Sequence, residues 1–81
     1  VQLLPPITNP DKIICVGLNY ESHRKETGRP EVEFPTLFTR FANSQIGDGE
    51  AMWRPAESTS FDYEGELAVI IGSGGWKIPK D

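Results

Sequence analysis

The sequence contains a single cysteine, Cys15, and a single histidine, His23. One thiol cannot form an internal disulfide, and such low cysteine usage favours a reducing, cytoplasmic location. One cysteine and one histidine also provide too few nitrogen and sulfur ligands for a structural zinc site. Because Cys15 lies in the apolar run KIICVGL at residues 12–18, we expect its thiol to be buried and unreactive.

Long apolar runs and an excess of positive charge are absent as well. No apolar stretch reaches about 18 residues, so we expect neither a membrane-spanning helix nor a signal peptide within these residues. The net charge of −4 argues against a surface for nucleic acids or anionic membranes. We therefore expect no nucleic-acid partner and no membrane partner.

The 81 residues allow at most one small domain. Apolar residues make up 37 % of the chain, and seven prolines with eight glycines indicate many loops. The sequence does not begin with methionine, and it ends soon after its strongest predicted strand. We expect an incomplete single domain over residues 1–81, in which the proline-rich residues 1–10 form an extended edge or a linker.

Short apolar and helix-forming runs alternate with segments rich in proline and glycine. The predicted elements are a strand at residues 12–18, a helix at 20–27 between Asn19 and Gly28, a strand at 36–41, a short strand at 51–54 and the strongest strand at 61–71. A turn is predicted at Asp48-Gly49. This pattern predicts a mixed, mainly β fold with one helix that is too short to be stable without docking.

Three acids, Asp62, Glu64 and Glu66, alternate in the run FDYEGELAVIIG at residues 61–72. Because side chains alternate between the two faces of a strand, the three carboxylates are predicted to share one face, with Tyr63 and Gly65 on the other. Crowded carboxylates beside a buried strand repel each other and lose hydration. A hard divalent ion with oxygen ligands, Mg²⁺ or Mn²⁺, would relieve that repulsion.

Two interpretations of these acids are open on the residues alone. Alternating acids are most often the solvated face of a strand, whereas the second interpretation is a metal or catalytic site. Two details favour the second one. Ala68 and Ile70 continue the same face with apolar side chains, and Gly65 interrupts the strand as glycines do at a bulge or a close backbone approach.

The predicted helix carries a second candidate pair, His23 and Glu26, at a spacing of three residues. On a helix these two side chains lie on the same face within hydrogen-bond reach. A carboxylate in that position can fix the imidazole tautomer and make the histidine a better base. The alternative is an ordinary contact on a charged, solvent-facing helix, which is how we interpret Glu21 and Lys25.

Three segments together resemble the fumarylacetoacetate hydrolase family: KIICVGLNYESHRKETG at residues 12–28, PTLFTRF at 35–41 and FDYEGELAVIIG at 61–72. The likeness extends over residues 12–72, with the segments in the family's order and at about its spacing. It implies that the chain is the N-terminal part of a β-rich catalytic domain whose short helix is a mobile lid.

The resemblance also implies a metal site. Glu64 and Glu66 match the two glutamates that ligate Mg²⁺ or Mn²⁺ in the family, and Asp62 would support the strand instead of binding the metal. The third protein ligand, usually an aspartate on a later strand, is expected beyond Asp81.

The remaining site residues follow from the same resemblance. His23, oriented by Glu26, would be the catalytic pair that activates water. Arg40 occupies a position where the family often has lysine, and it is the candidate for a substrate contact.

The activity implied by the resemblance is metal-dependent cleavage of C–C bonds in 2-oxo or 1,3-diketo acids. The metal would draw charge from the enolate that develops, in acylpyruvate hydrolysis or in oxaloacetate-type decarboxylation. The alternatives are a 2-oxo acid isomerase or tautomerase of aromatic catabolism, and a non-catalytic domain for metabolite binding or assembly. The resemblance implies a homodimer of the full-length protein, and we expect residues 1–81 alone to be inactive.

Overall fold

The computed structural model describes residues 1–31 and 33–81. The elements in chain order are strand β1 (Ile13–Gly17), helix α1 (Glu21–Glu26), strand β2 (Thr36–Arg40) and one turn of 3-10 helix (Ala42–Ser44). The described residues are therefore mixed in structure, with a two-stranded antiparallel sheet and one short helix. They confirm the mixed character of the expected fold, whereas the complete β-rich domain stays a prediction.

Strands β1 and β2 were both predicted from the sequence, and they pair with each other to form the sheet. The register pairs Ile13 with Arg40 at one end and Gly17 with Thr36 at the other, with Cys15 opposite Phe38. Isoleucine, valine and threonine favour these strands because branched side chains fit a pleated surface. Cys15 is half-buried, whereas the sequence predicts a buried thiol.

Helix α1 follows β1 after a sharp turn at Leu18, whose φ of 52° is unusual for a residue with a side chain. The helix begins at Glu21, two residues after Asn19 and one residue later than predicted. The N-cap is Tyr20, whose side chain makes no capping hydrogen bond. The helix ends at Glu26 with Thr27 as its C-cap, and Gly28 follows with the φ of 71° expected of a glycine after a helix.

The prediction of a strand at residues 61–71, the strongest from the sequence, is wrong for the described part of the chain. These residues belong to neither strand, and Leu67 and Ile71 have exposed fractions of 88 % and 75 %. A strand is defined by hydrogen bonds to a neighbour, and within residues 1–31 and 33–81 this segment pairs with neither β1 nor β2. The short strand predicted at 51–54 is missing for the same reason.

Residues 1–10 are held against the turn at residues 45–50 by hydrogen bonds. The carboxylate of Glu50 accepts a bond from Gln2 Nε2 at 2.9 Å and one from the backbone N–H of Gly47 at 2.7 Å. Gln45 Nε2 donates to the carbonyl of Ile7 at 3.1 Å. The predicted turn at Asp48-Gly49 is present, and the Glu50 N–H closes it onto the Gly47 carbonyl at 3.2 Å.

Hydrophobic burial contributes little to this arrangement. In the described part of the chain, no apolar side chain is buried, and the backbone of Gly47 is the one position that is fully covered. Hydrogen bonds and turns therefore place the segments relative to one another. No helix among these residues has both the length and the apolar character needed to cross a membrane.

Substitution of Gly47 by alanine is expected to destabilise the contact with residues 1–10. A Cβ at Gly47 would collide with the carbonyl oxygen of Leu3 and lie 2.6 Å from its carbonyl carbon. Overpacking against backbone costs about 1–3 kcal/mol, so the Tm of the full-length protein should fall. Gly74→Ala is the matched control because a Cβ there meets nothing within 4 Å. Equal Tm values for the two variants would contradict the contact.

Asp11, just before β1, has a pKa below its ordinary value because the ammonium of Lys12 donates a hydrogen bond to its carboxylate and attracts its charge. A lowered carboxyl pKa stabilises the folded state above the ordinary pKa, and that contribution is lost as the pH falls through the folded value. Lys12→Met should raise the pKa of Asp11 toward its ordinary value in an NMR titration. An unchanged titration midpoint would show that Lys12 is not the cause.

Candidate functional site

An open cleft of about 360 Å³ lies between the start of α1 and the acidic segment at residues 62–66. Residues of both segments line it. They are Tyr20, Ser22, His23, Glu26, Asp62, Tyr63, Glu64, Gly65 and Glu66. The cleft therefore joins the two groups of polar residues that the sequence singles out, although more than 30 positions separate them along the chain.

Helix α1 supplies one wall of the cleft. Ser22, His23 and Glu26 lie on the same side of the helix because residues three and four positions apart are neighbours on its surface. The opposite side carries Glu21 and Lys25, whose side chains form an ion pair at 3.1 Å. The helix thus separates a cleft-facing side from an ordinary solvent-facing side, as its sequence indicated.

A contact between His23 and Glu64 crosses the cleft. His23 Nε2 lies 3.6 Å from Glu64 Oε1, with exposed fractions of 36 % and 62 % for the two side chains. The contact is an ion pair when the imidazole is protonated, and solvent screens it because Glu64 is mostly exposed. In the described residues the ionic partner of His23 is therefore Glu64. Glu26 lines the same wall of the cleft as His23.

A second contact joins the two walls at the end of the acidic segment. The backbone N–H of Leu67 donates a hydrogen bond to the phenol oxygen of Tyr20 at 3.0 Å. Tyr20 is half-buried, in contrast to its exposed neighbours Asn19 and Glu21. This bond does not depend on the charge of any side chain, unlike the contact between His23 and Glu64.

The three acids do not share a single strand face. Tyr63 and Gly65, which were predicted to lie on the opposite face, line the cleft together with Asp62, Glu64 and Glu66. The prediction of strict alternation is wrong here because the segment has no ladder to fix its pleat. Asp62 makes a local contact, its Oδ1 accepting the N–H of Tyr63 at 2.8 Å.

Arg40 is not among the residues that line the cleft. It ends β2, where it pairs with Ile13 of β1, and its guanidinium donates to the carbonyl of Ser44 at 2.8 Å. That bond ties the strand to the 3-10 turn that follows it. A substrate contact at Arg40 stays a prediction, and the observed role of its side chain is local.

The chain matches the family model described as fumarylacetoacetate (FAA) hydrolase C-terminal over residues 12–81. The chain belongs to the fumarylacetoacetate hydrolase family. The resemblance found in the three sequence segments is thereby confirmed. The match covers β1, α1, β2 and both walls of the cleft.

Several curated proteins are similar to this family member. The chain is 43 % identical over 81 residues to the protein named oxaloacetate tautomerase fahd2, mitochondrial, of Xenopus laevis, and 44 % identical over 78 residues to oxaloacetate tautomerase FAHD2A, mitochondrial, of Homo sapiens. These alignments cover 100 % and 96 % of the chain and 25 % of each relative. An uncharacterized protein of Staphylococcus aureus is 42 % identical over 81 residues, which is 99 % of the chain and 27 % of that protein.

The chain thus spans about a quarter of the length of the curated relatives that it matches. No solved structure matches it with significance.

The oxygen donors of the cleft suit a hard divalent ion, but they form an incomplete set. Glu64 and Glu66 provide carboxylates at the same cleft, and Mg²⁺ normally binds through one or two carboxylates with water and substrate oxygens. Across residues 1–31 and 33–81, no group of three His, Cys, Asp or Glu side chains could hold a metal ion. These residues therefore fit part of a coordination shell that needs oxygen ligands from elsewhere.

The charge of the cleft restricts what can bind there. Four of its lining side chains are acidic, namely Glu26, Asp62, Glu64 and Glu66, and none is lysine or arginine. An anionic ligand would be repelled by these carboxylates unless a cation lies between them. The cleft as described thus favours cations, or anions that are chelated to one.

Sequence reasoning did not assign roles to Tyr20 and Ser22, which also line the cleft. For Ser22 a signal was available, because it lies four positions before Glu26 on the same helix face. Tyr20 lies three positions before His23, but that spacing does not reveal its contact with the acidic segment. Its partner Leu67 lies 47 positions away, so only the folded chain brings them together.

Proposed function

We propose that the full-length protein is a divalent-metal-dependent enzyme that acts on 2-oxo acids of the oxaloacetate type. The observation that carries the proposal is the shared cleft, in which the histidine of α1 lies opposite the Glu64 and Glu66 carboxylates. Membership of the fumarylacetoacetate hydrolase family and two relatives named oxaloacetate tautomerases support it.

Glu64 and Glu66 would hold the metal, Mg²⁺ or Mn²⁺, together with oxygen ligands from outside the described residues. When bound, the ion supplies a Lewis acid that draws negative charge from the oxygen of the 2-oxo group. Its two positive charges would offset part of the negative field of the four carboxylates, which would ease the approach of a dicarboxylate substrate. The two glutamates thus contribute placement and charge, and they take no proton in the reaction.

His23 is the proposed proton carrier. Its Nε2 atom lies on the cleft side of α1, next to Glu64 Oε1. In keto–enol tautomerisation one proton leaves carbon 3 of the substrate and one proton arrives at the oxygen of carbon 2. The reaction therefore balances without water: Nε2 takes the proton from carbon 3 and then donates it to the oxygen of carbon 2, which restores the imidazole.

Tautomerisation is the reaction that the names of the relatives favour. Cleavage of a C–C bond, by acylpyruvate hydrolysis or oxaloacetate decarboxylation, uses the same stabilised enolate and is the second candidate. The openness of the cleft to solvent favours hydrolysis in particular, because a water molecule could reach His23. In that reaction Nε2 takes a proton from water while the water oxygen bonds to the distal carbonyl carbon. The bond between that carbon and carbon 3 then breaks, which releases a carboxylic acid, and the remaining enolate takes the proton back from Nε2 to give pyruvate.

A non-catalytic metabolite-binding or assembly domain is the competing interpretation. It is favoured by the lack of a three-residue metal cluster in the described part of the chain. The homodimer, the cytoplasmic location and the lid-like motion of α1 stay predictions, and two of the relatives are named mitochondrial.

Replacement of Glu64 or Glu66 by glutamine should weaken Mn²⁺ binding to the full-length protein at least about tenfold, because each change removes one anionic oxygen ligand. Isothermal titration calorimetry with Mn²⁺ gives the Kd. Glu57→Gln is the matched control, since Glu57 is exposed and does not line the cleft. Equal affinities for all three variants and the wild type would rule out the proposed ligands.

His23→Asn should lower kcat for oxaloacetate tautomerisation by about 10²–10⁴-fold, which is the usual contribution of a general base. The reaction is followed by the ultraviolet absorbance of the enol, and pyruvate release measures decarboxylation in the same sample. Lys25→Met is the control on the opposite side of α1. Wild-type turnover by His23→Asn would exclude His23 as the proton carrier.

If the wild-type protein shows neither Mn²⁺ binding nor turnover of oxaloacetate or an acylpyruvate, the non-catalytic interpretation is correct. Metal binding without tautomerisation, but with pyruvate release from either substrate, would instead identify a C–C bond-cleaving enzyme.

A further inference from the structure

Tyr20 connects the two walls of the cleft through both its backbone and its side chain. Its carbonyl accepts the N–H of Arg24 at 2.9 Å, which forms part of the first turn of α1. Its phenol oxygen accepts the N–H of Leu67 at 3.0 Å. A single residue thus anchors the start of the helix and the end of the acidic segment at the same time.

The bond to Leu67 acts on the peptide group that directly follows Glu66. A peptide group is planar, so fixing its N–H direction also fixes the backbone on the C-terminal side of Glu66. Glu64 lies two residues before it and contacts His23 at 3.6 Å. The position of both acids therefore depends on how the end of this segment is held.

Few other polar contacts hold the acidic segment. Within residues 1–31 and 33–81, the hydrogen bonds and ion pairs that connect residues 61–71 to the rest of the chain are Tyr20 to Leu67 and His23 to Glu64. The second contact is exposed and needs a protonated imidazole. The phenol bond is uncharged, so it keeps the acids at the cleft whatever the protonation state of the histidine.

We propose that Tyr20 is a positioning residue, whose phenol holds the peptide after Glu66 and so sets where Glu64 and Glu66 lie in the cleft. The expected effect of Tyr20 on metal affinity rests on the proposed function. The hydrogen bond between Tyr20 and Leu67 does not rest on the proposed function, because it involves neither a metal nor a substrate.

The test uses Tyr20→Phe in the full-length protein, which removes the acceptor oxygen and leaves the ring in place. Amide hydrogen exchange of the peptide that contains Leu67 should become about 2- to 10-fold faster, as expected for the loss of one neutral hydrogen bond. The Kd for Mn²⁺ should rise by a similar factor, while the Tm changes little. Tyr63→Phe is the control for exchange, because Tyr63 is 84 % exposed and no hydrogen bond of its hydroxyl occurs in the described residues.

Unchanged exchange at Leu67 in Tyr20→Phe would overturn the proposal. Faster exchange with an unchanged Kd for Mn²⁺ would also overturn it, because Tyr20 would then hold the segment without placing the glutamates. If the wild type binds no Mn²⁺, the proposed function fails. Faster exchange in Tyr20→Phe, absent in Tyr63→Phe, would in that case still support Tyr20 as the residue that holds the acidic segment.

Discussion

Repulsion among carboxylates is the constraint on which the site depends. Glu26, Asp62, Glu64 and Glu66 line one cleft, and His23 is the single side chain there that can carry positive charge. Solvent screens much of this repulsion because the cleft is open. An anionic ligand would still meet an unfavourable field, so a 2-oxo acid would bind at this cleft more favourably with a compensating cation. The metal proposal follows from this charge balance as much as from the family.

The elements that could be predicted from the sequence are those that local interactions decide. The two strands were predicted within one residue at each end, since branched residues and flanking turns mark them. Gly28 marked the end of α1 through the positive φ that glycine adopts without strain. The segment 61–71 was wrongly predicted because a strand also needs a partner, and the apolar pattern of one segment contains no information about its neighbour.

The candidate site shows the same division between local and distant interactions. His23 and Glu26 share the cleft-facing side of α1, as helical spacing predicts. Glu64 and Glu66 do line one cleft, but strand alternation is not the reason, since Gly65 and Tyr63 line it too. The contact between Tyr20 and Leu67 could not be predicted, because it joins two segments that no periodic pattern relates.

The apolar run that follows the acidic segment also affects where that segment lies. Leu67, Val69 and Ile71 follow it directly and are largely exposed. Full burial of each such side chain is worth about 1.5–3 kcal/mol, whereas one neutral hydrogen bond contributes about 0.5–1.5 kcal/mol. Any surface that covers this apolar run would therefore decide where residues 67–71 lie, and the phenol of Tyr20 would decide the orientation of the peptide after Glu66 and with it the position of the two glutamates. Burial would thus place the apolar run, and Tyr20 would orient the glutamates. These are separate effects, and only the effect of Tyr20 is specific to the cleft.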